Sequence, residues 1–243
     1  MRSWGITDMG LIRKENQDAY ETTLIGPYTV AVVCDGMGGN AGGAVASGIA
    51  VRTYREELEK NLRPGMHMEQ LREVSDFSIA AANQAIRQRA EQEPALCRMG
   101  TTLVSAMVRK NEVLISNVGD SRAYLISASG IRQISRDHSL VESMVERGDL
   151  THEQARRHPG KNLITRALGP DEQVQADTFT LQWKQGEFLL LCTDGLINTV
   201  SDQELLFEII HNDDREHCLQ RLMELARQRG APDNVTAILM MNI

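Results

Sequence analysis

The 243-residue sequence contains no apolar run approaching the roughly 18–20 residues that a membrane-spanning helix needs. The first five residues also lack the apolar stretch of a signal peptide. No block of Lys or Arg is present, and 26 basic against 33 acidic residues give a formal net charge of −7. Because neutralised phosphates supply most of the affinity for nucleic acid, this composition argues against a nucleic-acid-binding protein. We therefore predict a soluble, cytoplasmic protein that binds neither membrane nor nucleic acid, with a monomer as the default.

Cysteine pairs at the spacing of a metal or redox motif are also absent. Cys34, Cys97, Cys192 and Cys218 lie far apart, and two of them lie within strongly apolar runs. We predict that the four are buried, reduced thiols, which is consistent with a cytoplasmic protein.

Apolar runs of strand length recur along the chain, and their β-branched residues and glycine-containing flanks favour strands. The predicted strands are Tyr28–Cys34, Thr102–Val108, Val113–Val118, Ala123–Ile126, Phe188–Cys192 and Val235–Met241. Helical spacing of apolar residues predicts helices over about 66–93 and around 218–226, and a third from the glycine-rich stretch 38–43 to Leu58. Several strands follow one another without an intervening helix, so we predict antiparallel sheets and an α+β fold.

Repeats, low-complexity tracts and linker-like segments are not found, so residues 1–243 are predicted to form a single domain. The polar stretch from Asp137 to Asp171 is the exception, and we interpret it as a flap-like surface insertion. Within it, Val141 and Val145 suggest a short helix, and the sequence from Thr151 to Gln154 resembles a capping box.

Acidic residues stand at the ends of apolar strands, where an unpaired charge is unfavourable. Asp35 and Asp194 each follow an apolar run and precede a glycine, Asp120 follows the run that starts at Val113, and Asp233 precedes the last strand. If these strand ends meet, the carboxylates repel one another until hard divalent cations neutralise them, and oxygen ligands favour Mg²⁺ or Mn²⁺ over zinc. For any one Asp-Gly pair, a simple turn is the more ordinary interpretation, but four aspartates in the same strand-end context weaken it.

Two further features of the sequence, the glycines after Asp35 and the residue Arg13, each allow two interpretations. The glycine after Asp35 permits a close backbone approach, so the Gly36 carbonyl could be a ligand, although the glycines that follow could serve helix packing alone. The stretch 36–43 lacks the Gly-Lys-Ser/Thr ending of a phosphate-binding P-loop. Arg13, in a polar segment, could clamp a phosphate through two parallel hydrogen bonds or could be an ordinary solvated residue.

Motifs spread over residues 8–236 occur together in one chain. They are Arg13 to Asp18, Asp35-Gly36-Met37-Gly38-Gly39, Met99-Gly100-Thr101-Thr102, Gly119-Asp120-Ser121-Arg122, Asp194-Gly195-Leu196 and Asp233-Asn234-Val235-Thr236. In this order, the set resembles the motifs of the metal-dependent protein phosphatase 2C (PPM) family, in its bacterial branch. The resemblance implies a four-layer α-β-β-α sandwich, with two central antiparallel β-sheets flanked by helices and metals bound at one end.

The resemblance also implies a ligand set for two Mn²⁺ or Mg²⁺ ions. Asp35 would bridge the ions, the Gly36 carbonyl would bind one, and Asp194 and Asp233 would complete the other. Asp120 would share a third, weaker site with Asp194. The supporting residues would be Asp18, which holds metal-bound waters, Gln17, which stands where some relatives carry Glu, and Asn234 of the last motif.

The reaction implied is hydrolysis of phosphoserine and phosphothreonine in proteins by a metal-bridging water or hydroxide. Arg13, Asp35 and Asp194 would be the catalytic residues, and Arg13 would hold the phosphate oxygens. The substrates would be phosphorylated proteins made by a bacterial serine/threonine kinase. None of the four cysteines is followed six positions later by Arg, so the sequence does not match a cysteine phosphatase.

One departure concerns the proton for the leaving group, because eukaryotic relatives place His where this chain has Met37. A metal-bound water is the predicted source, and we favour a structural role for His138. Two other functions stay open at this stage. A catalytically silent module that binds phosphoproteins is disfavoured by the intact aspartates, and a two-metal phosphodiesterase is disfavoured by the absent basic groove.

Overall fold

The computed structural model describes residues 1–39, 42–212 and 214–243, and two β-sheets form its centre. The strands are β1 (Arg2–Asp8), β2 (Asp18–Ile25), β3 (Tyr28–Met37), β4 (Gly100–Thr101), β5 (Leu103–Arg109), β6 (Glu112–Val118), β7 (Arg122–Ser127), β8 (Gly130–Gln133), β9 (Asp177–Gln182), β10 (Phe188–Cys192) and β11 (Val235–Met241). The first sheet has the order β1-β11-β10-β7-β8, and the second has the order β2-β3-β5-β6-β9, with β4 paired to β3. Each of these strand pairs is antiparallel, as predicted.

Helices cover the outer face of each sheet. The helices of the described residues are α1 (Gly42–Asn61), α2 (Met68–Gln92), α3 (Leu140–Glu146), α4 (His152–Arg157), α5 (Asp194–Ile197), α6 (Asp202–His211) and α7 (Arg215–Gln228), with a short 3₁₀ helix at Pro94–Leu96; α3 and α4 belong to the polar segment 137–171. Helices α1 and α2 share an apolar core with the second sheet, and α5, α6 and α7 share another with the first sheet. Among the described residues, no helix combines the length and the apolar character needed to cross a bilayer.

The alternation of side chains along buried strands builds the layers. On β3, Val30 and Val32 point into the helix-covered core, whereas Ala31 and Val33 join the core between the two sheets. On β10, Leu190 faces the helices, while Leu189 and Leu191 face the other sheet. Strands buried on both faces therefore separate three apolar layers, and the predicted α-β-β-α sandwich is confirmed.

All six predicted strands are present, with ends that differ by at most three residues. The predicted helices correspond to α1, α2 and α7, although Asn40 and Ala41, at the predicted start of the first, lie outside the described residues. The polar segment 137–171 contains α3 and α4, and the Thr151 capping box is formed. One prediction was wrong, because Cys97 is exposed, just beyond the 3₁₀ helix. Cys34, Cys192 and Cys218 are buried, and all four cysteines are free.

Candidate metal centre and active site

The ends of strands from both sheets meet at one cavity of about 1000 Å³. Eight of the nine residues predicted for the site line this cavity: Arg13, Gln17, Asp35, Gly36, Asp120, Asp194, Asp233 and Asn234. Asp18 is not among the lining residues, but it faces Asp35 in the register of β2 and β3. The two sheets thus bring together carboxylates that lie more than two hundred positions apart in sequence.

Close crossings of the backbone explain the glycines after Asp35 and Asp194. A Cβ atom on Gly36 would lie 2.1 Å from the Gly43 carbonyl oxygen, and one on Gly195 would lie 2.0 Å from the Asn234 carbonyl oxygen. Both distances are far below a normal contact, so only glycine fits at these points. The glycines therefore hold the two aspartate-bearing turns against neighbouring segments of the site.

Burial and mutual repulsion perturb the carboxylates of the site. Burial, opposed by hydroxyl hydrogen bonds, raises the pKa of Asp18 to about 7. Burial and then the charge of Asp194 raise the pKa of Asp120 to about 8, and burial and then the charge of Asp233 raise that of Asp194 to about 6. The pKa of Asp35 lies well above its usual range because of burial and the charges of the other aspartates. In the absence of cations, these groups resist being ionised together.

The chemistry of the donors fits hard divalent cations. Asp18, Asp120 and Asp194 each have a buried Oδ1 atom with no hydrogen-bond partner among the described residues. A buried carboxylate oxygen without a donor needs a cation or a proton, and an all-oxygen donor set favours Mg²⁺ or Mn²⁺. Within the described residues no three His, Cys, Asp or Glu side chains are arranged to hold an ion by themselves. Ions bound here would therefore keep part of their water shell, as Mg²⁺ usually does.

Arg13 is held at the cavity by an ion pair. Its Nη2 donates to Asp233 Oδ2 at 2.7 Å, and the side chain is largely exposed. The loop that carries Arg13 is fixed by Asn234, whose Nδ2 donates to the carbonyl oxygens of Met9 (2.8 Å) and Glu15 (3.0 Å). The Gln17 backbone N–H in turn donates to Asn234 Oδ1 at 2.8 Å. Asn234 therefore positions the guanidinium at the mouth of the cavity.

Gln17 contacts the glycine-rich turn. Its Nε2 donates to the Gly39 carbonyl at 3.1 Å and to Glu15 Oε1. Met37 also lines the cavity, and its thioether has no proton to donate. His138 is not among the described residues that line the cavity. Its Nδ1 accepts from the Gly119 N–H at 3.0 Å, and its Nε2 lies 3.0 Å from Arg166 Nη1 and 3.3 Å from Asp177 Oδ2.

Sequence reasoning missed two groups of residues at the site. The hydroxyls of Thr193 and Thr236 donate hydrogen bonds to Asp18 Oδ2, at 3.0 and 2.6 Å. The feature of the sequence that could have identified them is their position, because each lies within three residues of a candidate ligand. Residues 162–167, in the polar segment 137–171, form part of the cavity wall, and no pattern in the sequence pointed to them.

Comparisons with known proteins agree with this geometry. The family model described as protein phosphatase 2C matches residues 13–240. The serine/threonine phosphatase Stp of Listeria welshimeri is 37% identical over 236 residues, which cover 96% of this chain and 92% of that protein.

Solved structures are similar over nearly the whole chain. The serine/threonine phosphatase PstP/Ppp of Mycobacterium tuberculosis superposes with a TM-score of 0.90 at 33% identity, covering 100% of this chain and 99% of that chain. A serine/threonine phosphatase of Staphylococcus aureus gives a TM-score of 0.92 at 34% identity, covering 99% and 94%. With the matched motifs gathered at one cavity, the chain belongs to the protein phosphatase 2C family, in its bacterial PPM type.

Proposed function

We propose that the chain is a metal-dependent protein phosphatase that hydrolyses phosphoserine and phosphothreonine in proteins. The observation that carries this proposal is the set of buried carboxylate oxygens, without a hydrogen-bond partner among the described residues, at the cavity where Arg13 is held. Membership of the family, and relatives named as serine/threonine phosphatases, support the substrate class.

We propose two ions at the site, Mg²⁺ or Mn²⁺. Asp35, the Gly36 carbonyl, Asp194 and Asp233 would supply the oxygen ligands of these ions. Asp120, together with Asp194, would form a weaker third site. When bound, the ions would supply Lewis-acid chemistry, lowering the pKa of water and offsetting the charge of the phosphoryl group.

The protein's own residues would bind and orient the substrate. Arg13, pre-oriented by Asp233, would hold the phosphate oxygens through charge-assisted hydrogen bonds. Lys14 also lines the cavity and would add positive charge at its mouth. Because Met37 cannot donate a proton, the leaving serine or threonine oxygen would take its proton from water in the cavity.

The segment 137–171 would contact the protein substrate. It supplies Asn162 to Ala167, Pro170 and Asp171 to the cavity wall, which supports its interpretation as a flap. The substrates would be products of a serine/threonine kinase in the bacterial cytoplasm, and a monomeric enzyme stays a prediction. Neither alternative function is favoured by any observation. The silent module would not need four aspartates gathered at one cavity, and a phosphodiesterase for nucleic acid would need a basic groove.

Hydrolysis of a phosphothreonine peptide and of an aryl phosphate, with and without Mn²⁺, tests the proposal. We expect Mn²⁺-dependent turnover of both, and Asp194→Ala should lose turnover together with Mn²⁺ binding measured by calorimetry. Mn²⁺ binding without turnover would instead identify the silent module. Cleavage of DNA without activity on the phosphopeptide would identify the phosphodiesterase.

A further inference from the structure

A chain of hydrogen bonds runs through threonine hydroxyls and ends on Asp18. The Asn16 side-chain amide donates to Thr7 Oγ1 at 2.8 Å, and the Thr7 and Thr236 hydroxyls lie 2.7 Å apart. Thr236 Oγ1 donates to Asp18 Oδ2 at 2.6 Å, and Thr193 Oγ1 donates to the same oxygen at 3.0 Å. Thr193 Oγ1 also accepts from the Thr236 backbone N–H at 3.0 Å.

Counting protons fixes the direction of this chain, because each threonine hydroxyl has one proton to give. Thr236 gives its proton to Asp18, so Thr7 must give its own to Thr236, and the Asn16 amide serves as donor to Thr7. Every bond therefore points toward Asp18 Oδ2, which accepts from two hydroxyls. The other oxygen, Oδ1, is buried and has no partner among the described residues.

We propose that Thr193 and Thr236 are positioning residues of the metal centre. They fix the Asp18 carboxylate in one orientation, with Oδ2 engaged by the first sheet and Oδ1 left available to the ions and their water. This inference rests on the proposed metal-dependent function. Because Asp18 lies on β2 and Thr236 on β11, the same bonds tie the two sheets together beside the site.

Variants of Thr236 test the inference. Thr236→Val removes the hydroxyl and keeps the shape, whereas Thr236→Ser keeps the hydroxyl. We expect Thr236→Val to weaken Mn²⁺ binding, measured by calorimetry, or to lower kcat by about 10–100-fold, as outer-shell changes at metal sites do. Thr236→Ser should restore both, and KM for an aryl phosphate should change little. The matched control is Thr22→Val, four residues from Asp18 on the same strand.

Unchanged Mn²⁺ binding and kcat in Thr236→Val would overturn the inference. Melting in EDTA shows whether the variant is folded, and Thr193→Val provides a second removal of a hydroxyl from Asp18. An inactive wild-type protein would count against the proposed function instead, so the two failures can be told apart.

A separate observation concerns the loop before Arg13, which holds exposed apolar side chains. The exposed fractions are 44% for Met9, 56% for Leu11 and 69% for Ile12. Clustered exposed apolar residues mark interaction surfaces more often than isolated ones do. These three lie within four positions of one another and end directly at Arg13.

Hydrogen bonds fix the backbone of this loop, so the fold keeps its three apolar side chains exposed to solvent. Gly10 N–H donates to Asp8 Oδ1 at 2.8 Å, and Leu11 N–H donates to the Ala231 carbonyl at 3.0 Å. Gly10 has φ +77°, and a Cβ atom there would lie 2.3 Å from the Asp233 carbonyl oxygen. The loop is therefore docked against the segment that bears a candidate ligand.

We infer that Leu11 and Ile12 bind an apolar side chain next to the phosphorylated residue of a protein substrate. This inference also rests on the proposed function. Arg13 and Lys14 follow directly and line the cavity, and their charge complements a phosphoryl group. Leu11 and Ile12 directly precede Arg13 in the chain, so residues next to a phosphorylated residue held at Arg13 would meet this pair. Leu163, also exposed, lines the cavity in the flap-like segment.

Two phosphothreonine peptides test this surface, one with Leu beside the phosphothreonine and one with Ser in those places. Wild type should prefer the leucine peptide, and Leu11→Ser/Ile12→Ser should reduce that ratio of kcat/KM values about tenfold, the low end for an apolar contact. Leu24→Ser, on the side chain that is 71% exposed near the far end of β2, should keep the ratio. An equal ratio in wild type and the double variant would overturn the inference, whereas no hydrolysis of either peptide would count against the proposed function.

Discussion

At the scale of single residues, Asp120 links the charge of the site to the pH dependence of the protein's stability. Burial and the charge of Asp194 raise its pKa from 3.8 to about 8 in the metal-free protein. Between these values the folded chain binds more protons than the unfolded chain, so the free energy of unfolding falls as pH rises. Asp35 and Asp194, whose pKa values are also raised, act in the same direction.

We therefore predict that the metal-free protein loses stability from about pH 4 to about pH 8 in denaturant titrations with EDTA. Asp120→Asn should flatten this fall by up to about 1.4 kcal/mol per pH unit, because one ionisable group is removed. Asp149→Asn, at an exposed ion pair with Arg147, serves as the control and should leave the slope unchanged. Parallel slopes for wild type and Asp120→Asn would contradict the prediction.

Arg13 supports a second prediction at this scale. Arg13→Ala should lower kcat/KM for a phosphopeptide about 10–100-fold, mainly through KM, because charge-assisted hydrogen bonds to phosphate are lost. Calorimetry should show that Mn²⁺ binding persists. Arg132→Ala, an exposed arginine on β8, is the control. Unchanged steady-state kinetics in Arg13→Ala would remove this residue from substrate binding.

The candidate ligands could be predicted from sequence because each stands beside a recognisable strand end. The residues that orient them could not. Thr236 lies 218 positions from Asp18, and its hydroxyl has a role only once two sheets have packed. The cavity wall at residues 162–167 depends on where a polar segment folds back, which no local pattern encodes.

At the scale of elements, burial decides which strands a sequence reveals. β3 and β10 are buried on both faces and appear as continuous apolar runs. β1, β2 and β9 are half exposed and mix polar with apolar residues, and none of them was predicted. All three lie at the edges of their sheets. There, pairing with the one neighbouring strand, and not a continuous apolar run, determines where the strand forms.

His138 contacts Gly119, Arg166 and Asp177, which lie in three separate segments of the chain, and its protonation gives a third prediction. Burial and then the charge of Arg166 lower its pKa, while Asp177 and Asp137 act in the opposite direction. The pKa of His138 in the folded chain lies below the unfolded value of 6.5. The contribution of His138 to the free energy of unfolding is therefore fully present above pH 6.5 and is lost as pH falls below that value.

We expect wild type to lose stability relative to His138→Asn as pH falls below 6.5. The maximum slope of the difference is about 1.4 kcal/mol per pH unit. The measurement is urea unfolding of both proteins at saturating Mn²⁺ from pH 7.5 to 5.5. A difference independent of pH would show that His138 titrates equally in the folded and unfolded chains.

At the scale of the whole molecule, the formal charge of −7 is partly a property of one end of the sandwich. Four aspartates of the site, Asp18, Asp35, Asp120 and Asp194, have raised pKa values and leave the metal-free fold under electrostatic strain. The chain is therefore expected to be most stable when it is loaded with divalent cations.

Accordingly, Mn²⁺ at about 100 times its dissociation constant should stabilise the protein by about 2.7 kcal/mol for each independent site. For a domain of this size, each such site should raise the melting temperature by about 5–10 °C. Calorimetric melting across a Mn²⁺ series measures this, with Asp194→Asn as the comparison. A melting temperature that is unaffected by Mn²⁺ in wild type would refute a metal centre at these carboxylates.

The position of β11 in the first sheet has a consequence for synthesis of the protein. This last strand lies between β1 and β10, and the residues just before and within it supply Asp233, Asn234 and Thr236. A growing chain on the ribosome lacks all three until residue 236 has been added. With the site residues proposed above, a product that stops short of residue 233 would be inactive even if both sheets began to form.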